Sequence, residues 1–184
     1  MQDYHEYMEE ILVGEEALKK RIAELGAEIS RDYQAQDLHL ICILRGGVMF
    51  LTDLMREIIV PNTIDFMAVT SYGTARMSTG QVRISMDLVE NIHDRNVLLV
   101  EDIVDSGYTI ASVLDLLDTR RPKSLRVCTL LDKPERREVQ VPIHYRGFII
   151  PNKFVFGYGL DLDGYYRNLP FIATVDLKRY HPIE

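Results

Sequence analysis

Apolar residues fall along this chain in two alternating rhythms. Over residues 15–33, Leu18, Ile22, Leu25, Ile29 and Tyr33 recur at steps of four, three, four and four, which is one face of a helix. Glu15 and Glu16 at its start suit the positive end of the helix dipole. Leu38–Leu44 is a short apolar run, the pattern of a buried strand, and Arg45-Gly46-Gly47 breaks it. Val48, Leu51, Leu54, Met55 and Ile58 return to helical spacing until Pro61 stops them. Residues 64–72 read as a strand, and residues 71–80 as a small, polar, glycine-containing loop. Val82, Ile84 and Met86 alternate with polar positions as in a half-exposed strand. Val97–Val100 reads as a buried strand and Glu101–Gly107 as a turn. Thr109–Leu117 then reads as a helix with Ile110, Val113, Leu114 and Leu117 on one face, and Leu125–Leu131 as another strand. Shorter strands are expected at residues 148–150, 154–158 and 172–175.

Strands alternating with helices predict an α/β fold: a central parallel sheet with helices on both faces, and a ligand at the carboxyl ends of the strands. No repeat, low-complexity tract or linker divides the sequence, so one domain is expected over residues 1–184. The short strands of the last third could add a small flap to the sheet's edge.

Composition narrows the chemistry. At 47% hydrophobic and 27% charged, the 184 residues have globular proportions. A net charge of −7 argues against a general nucleic-acid or anionic-membrane surface while leaving room for a local anion pocket. The clusters Arg120-Arg121-Pro122-Lys123 and 133–137 are the basic runs, and such runs usually form solvated faces. No apolar stretch approaches the roughly 20 residues that span a bilayer. The acidic, polar opening MQDYHEYMEE is unlike a targeting leader, so a cytoplasmic location is expected. Cys42 and Cys128 sit in separate apolar runs and read as buried, reduced thiols. The phosphate-loop, dinucleotide and nucleophile-elbow motifs are absent, and the five histidines lack zinc spacing.

The informative segment is VLLVEDIVDSGYTI, residues 97–110. An apolar strand runs into Glu101 and Asp102, then Asp105, Ser106, Gly107, Tyr108 and Thr109 lead into a helix. Small residues at a helix start present free backbone N–H groups, and with the helix dipole these make a phosphate cradle. Ser106 and Thr109 add hydroxyl donors, and Gly107 admits a close anion. Glu101 and Asp102 would repel a phosphate placed against them but suit a neighbouring diol or a divalent cation. A phosphate cradle beside diol acceptors describes ribose 5-phosphate. Helix capping by Asp105 or Ser106 is the plainer explanation, but it leaves three acids in five positions unexplained. The acidic pocket of a receiver domain is a second alternative.

VEDIVDSGYT resembles the phosphoribosyl pyrophosphate signature of the type I phosphoribosyltransferases. Leu44-Arg45-Gly46-Gly47 resembles their pyrophosphate loop, and Ser71-Tyr72-Gly73 closed by Ser78-Thr79-Gly80 their mobile catalytic loop. KFVFGYGLD at 153–161, with YRNLP at 166–170, resembles the purine end of the bacterial hypoxanthine–guanine branch. The resemblance implies transfer of ribose 5-phosphate from phosphoribosyl pyrophosphate to a 6-oxopurine, hypoxanthine or guanine, with Mg²⁺. It implies Asp105 as general base at purine N7, and Glu101, Asp102, Asp105, Ser106, Gly107, Tyr108 and Thr109 around the ribose 5-phosphate. Arg45, Gly46, Ser71, Tyr72 and Arg167 would take pyrophosphate, with a non-proline cis peptide in the loop at Gly46. Lys133, Phe154, Val155 and Asp161 would take the purine, and Glu101, Asp102 and Asp161 the metal. On their own, Lys133 reads as a surface charge before Pro134 and Phe154 as a core strand residue. The resemblance further implies a base-binding hood from about residues 150–184 with the N-terminal segment, a homodimer or homotetramer, and no nucleic-acid or membrane partner. A xanthine-preferring transferase and a phosphoribosyl pyrophosphate-sensing regulator that binds nucleic acid are the alternatives on the same fold.

Overall fold

A computed structural model describes residues 3–71 and 82–180, the side chains of Ser71 and Val82 excepted. Helix α1, Glu15–Asp32, buries Leu18, Ile22, Leu25 and Ile29, as the spacing predicts. Strand β2, Leu38–Leu44, has the expected bounds, and its apolar run is buried almost throughout. Helix α2, Val48–Glu57, follows the glycine break. The remaining strands of the main sheet are β3 (Asn62–Ser71), β4 (Val82–Met86), β5 (Asn96–Val104), β6 (Ser124–Asp132) and β7 (Tyr145–Ile149). Helix α3, Tyr108–Asp118, joins β5 to β6.

The order across this sheet is β4-β3-β2-β5-β6-β7. Every pairing is parallel except β4 against β3. Side chains alternate between its faces. Leu40, Cys42, Leu98, Val100, Cys128 and Leu130 pack with α1 and α2, while Ile41, Ile43, Val97, Leu99 and Val127 pack with α3. The helices therefore cover both faces. Both cysteines are buried and free.

A second sheet joins distant parts of the chain. Its strands are β1 (Met8–Val13), β8 (Val155–Phe156) and β9 (Ile172–Val175), in the order β1-β9-β8. Both pairings are antiparallel. The hydrophobic pattern does not predict β1, because MEEILV neither alternates nor buries more than its last residue well. The pattern also ends β5 too early. Glu101 and Asp102 lie within the strand, not in a turn, because pairing with β6 continues to Val104 opposite Asp132.

Candidate active site

Three chain segments leave the carboxyl edge of the parallel strands together, where open α/β sheets bind ligands. They follow β2, β5 and β6. The expected loop at 71–80 leaves β3 at the same edge, but beyond Ser71 it lies outside the described residues, as does Tyr72.

After β5, Asp105–Gly107 turns into α3. Gly107 is the N-cap with φ 94°, and no side chain caps the helix, which removes capping as the reason for Asp105 and Ser106. The first helical bond to Gly107 O comes from Ala111 N at 2.9 Å, so the preceding N–H groups are left for another acceptor. A Cβ at Gly107 would overlap the Val139 carbonyl. Glu101, Ile103, Asp105, Ser106, Gly107 and Thr109 help to line a cavity of about 240 Å³ at this point. The geometry is that of an anion cradle.

The two acids at the end of β5 face different neighbours. Glu101 lines the cavity, and its Oε2 is buried without a hydrogen-bond partner among the described residues. Burial, and then Asp102, push its carboxyl well above the usual range. Asp102 accepts from the Ile103 N–H at 2.8 Å. Burial raises it to about 6, against the lowering influence of that N–H and of Arg167.

The segment after β2 is held against Asp102. The Leu44–Arg45 peptide is cis, as the resemblance implies. A Cβ at Gly46 would overlap the Asp102 carboxylate. Gly159, at φ 94°, lies so close over the Gly46 carbonyl that it too has no room for a Cβ. Arg45 is exposed beside this contact. Residues 157–160 are in turn bonded to the 167–169 segment: Gly159 N donates to Arg167 O at 2.8 Å, and Tyr158 N to Leu169 O at 2.9 Å. The Arg167 guanidinium bonds Gly159 O and Asp161 Oδ1, each at 2.6 Å. Tyr158 Oη reaches Asp53 of α2 at 2.5 Å, which ties this segment to the main sheet's helices.

Lys133 follows β6 and is not a surface charge. It is 6% exposed, and burial lowers its ammonium from the ordinary value. Its Nζ lies 3.8 Å from Asp105 Oδ2, and Arg136 Nε donates to Asp105 Oδ1 at 2.8 Å. The reading of 133–137 as a solvated basic run is therefore corrected: the Arg137 side chain, 8% exposed, pairs with buried Asp132. Phe154 is not a core residue either. It is 49% exposed beside buried Val155, so its ring is free to stack. Arg136 and Arg137 are the residues of this region that motif reading missed. The available signal was Asp132, an acid closing an apolar strand.

The expected three-carboxylate metal set is not assembled. Among the described residues no three metal-ligating side chains converge. The unpartnered Glu101 oxygen beside Asp102 still fits a hard cation that takes most of its ligands from substrate oxygens and water.

A family model described as the phosphoribosyl transferase domain matches residues 10–163. The hypoxanthine phosphoribosyltransferase of Salmonella typhimurium is 48% identical over 170 residues, covering 91% of this chain and 96% of that protein. The chain belongs to the hypoxanthine phosphoribosyltransferases. The hypoxanthine-guanine phosphoribosyltransferase of Mycobacterium avium is 52% identical over 176 residues, 92% of this chain and 87% of its own. A crystal structure of the Staphylococcus aureus hypoxanthine phosphoribosyltransferase superimposes with a TM-score of 0.93 at 42% identity, covering 97% of each chain. A phosphoribosyltransferase must bind a phosphorylated sugar and release pyrophosphate. The cradle at Gly107 and the guanidinium groups of Arg45 and Arg167 are the features of this site suited to those anions.

Proposed function

We propose that this purine salvage enzyme transfers ribose 5-phosphate from phosphoribosyl pyrophosphate to a 6-oxopurine, hypoxanthine or guanine, with Asp105 as general base. The observation that carries the reading is the Asp105 carboxylate 3.8 Å from the buried Lys133 ammonium, at the rim of the glycine-lined cavity. The 5′-phosphate takes the free N–H groups of residues 106–109 and the Ser106 and Thr109 hydroxyls. Glu101 and Asp102 face the ribose diol. Arg45, Arg167 and the Gly46 N–H take the pyrophosphate, with Ser71 and Tyr72 assigned to it by resemblance.

The purine stacks on Phe154, with the Val155 backbone and Asp161 along its edge. Lys133 donates to the 6-oxo oxygen. Adenine would set an amino group against that ammonium and leave donors facing donors, which a closed site rejects strongly. The bond from C1′ to the pyrophosphate oxygen breaks with its electron pair leaving on pyrophosphate, and the purine's imidazole nitrogen forms the new bond to C1′. Asp105 manages the proton at N7. Mg²⁺ held by substrate oxygens with Glu101 and Asp102 would neutralise charge on the departing pyrophosphate. The protein is expected in the cytoplasm as a homodimer or homotetramer, without a nucleic-acid partner.

The test is nucleotide formation from phosphoribosyl pyrophosphate and Mg²⁺ with hypoxanthine, guanine, xanthine and adenine in turn. Hypoxanthine and guanine are expected to react and adenine not. Asp105→Asn should cut turnover about 10²- to 10⁴-fold while leaving phosphoribosyl pyrophosphate affinity nearly unchanged. Adenine turnover would overturn the role of Lys133. Binding of phosphoribosyl pyrophosphate without any turnover would point to a regulator on this fold.

A further inference from the structure

The segment that follows β6 touches every residue of the phosphate loop from Val104 to Gly107. Lys133 N donates to Val104 O at 3.0 Å, and Arg137 Nη2 donates to the same carbonyl at 3.3 Å. Arg136 Nε holds Asp105 Oδ1 at 2.8 Å. The N–H groups of Glu138 and Val139 both donate to Ser106 O, at 2.9 and 3.0 Å. Gly107 lies bare against the Val139 carbonyl. Residues 133–139 thus form a strap along the loop, and the first residue of the strap is the lysine assigned to the base.

Arg137 is the side chain that fastens the strap. Its exposure is 8%, and it pairs with Asp132, whose side chain is 3% exposed. The same guanidinium therefore bonds the strand that carries Lys133 and the carbonyl that opens the phosphate loop. Its Cδ packs where a Gly107 side chain would begin, 3.1 Å from that point. Both bonds come from one nitrogen, Nη2, so a shift of either segment is passed to the other through a single group. Arg146, on β7, supplies a comparison. Its Nε reaches the other Asp132 oxygen at 2.8 Å, and it makes no hydrogen bond to residues 104–107 among the described residues.

We infer that Arg137 is a positioning residue that couples the two ends of the site: a 5′-phosphate settling on residues 105–109 fixes the strap, and the strap fixes Lys133 for the base. The inference rests on the transferase reading above. Coupling of this kind makes a nucleotide, which occupies both ends, bind more tightly than its separate parts imply.

The experiment is calorimetric binding of ribose 5-phosphate and of inosine 5′-monophosphate to the wild type, Arg137→Met and Arg146→Met. Each variant leaves Asp132 one guanidinium, so the buried carboxylate stays paired. Arg137→Met should bind ribose 5-phosphate about tenfold more weakly and the nucleotide about 100-fold more weakly, whereas Arg146→Met should hold both within about twofold. Arg137→Lys keeps the charge but loses the planar guanidinium that sets Nη2 between the two acceptors. It should give the same ordering with smaller factors, and it decides the matter if the methionine variant does not fold.

Equal losses for the two ligands would reduce Arg137 to a prop of the phosphate loop and overturn the coupling. Equal behaviour of the Arg137 and Arg146 variants would reduce it to charge balance for Asp132 and overturn it as well. The wild type reads the underlying function separately. Binding of ribose 5-phosphate without the nucleotide would sink the purine reading, and base-end coupling with it.

Discussion

Asp102, 9% exposed, lies between the Ile103 N–H and the bare Gly46 backbone, and burial pushes its carboxyl up to about 6. The sign of the resulting pH dependence follows from proton counting. The unfolded chain gives up this proton near 3.8 and the folded chain near 6, so between those values the folded state binds more protons. Raising pH through that window favours unfolding, by at most about 3 kcal/mol once the group is ionised. In metal-free, substrate-free protein, Asp102→Asn should therefore gain stability relative to wild type as pH climbs from 4 to 6, then hold a constant difference. Denaturant midpoints across pH 4.5–8 check this, and a difference independent of pH would refute it. At this scale the sequence marked Glu101 and Asp105 as neighbours, and both line one cavity. It was silent on Arg136 and Arg137, because a run of charges does not say which cation turns inward to Asp132 and which reaches a neighbouring carboxylate.

Among the elements, periodicity was most reliable where burial is one-sided or complete. The 15–33 stripe became α1, and the apolar run 38–44 became β2. It failed where a strand carries charge. β5 continues through two acids because its hydrogen-bond ladder with β6 does not depend on side-chain polarity. It failed again at β1, which belongs to the small sheet and, among the described residues, pairs with β9 alone. The contact between elements at Gly46 could not be seen in sequence at all: a glycine after a strand signals a break, not a carboxylate and a second glycine pressed on it from two sides. Gly46→Ala tests that contact. The added methyl must displace Asp102 or the loop, at a cost of about 1–3 kcal/mol. The variant is expected to melt earlier and to raise the KM for phosphoribosyl pyrophosphate about tenfold, since Arg45 moves with the loop. A variant with wild-type KM would show that the loop's place is not set by this packing.

Across the whole molecule, the two sheets differ in how much holds them. β2, β5 and β6 each lie between two neighbours, with helices on both faces. β8 is two residues long and, among the described residues, pairs with β9 alone. Amide hydrogen exchange should show β2 and β5 opening only with global unfolding, and the β8 amides exchanging at least about tenfold faster. Uniform protection would mean that the small sheet opens only with the core.

The pairing of β1 with β9 has a temporal side. Val13 meets Ile172, about 160 residues later in the chain. On a ribosome adding about 5–20 residues each second, the first strand waits roughly ten to thirty seconds for its partner. Arg167, Asp161 and the glycine that rests on Gly46 emerge in the same late interval. The segments that line the Gly107 cavity, complete once residue 139 is made, thus precede them.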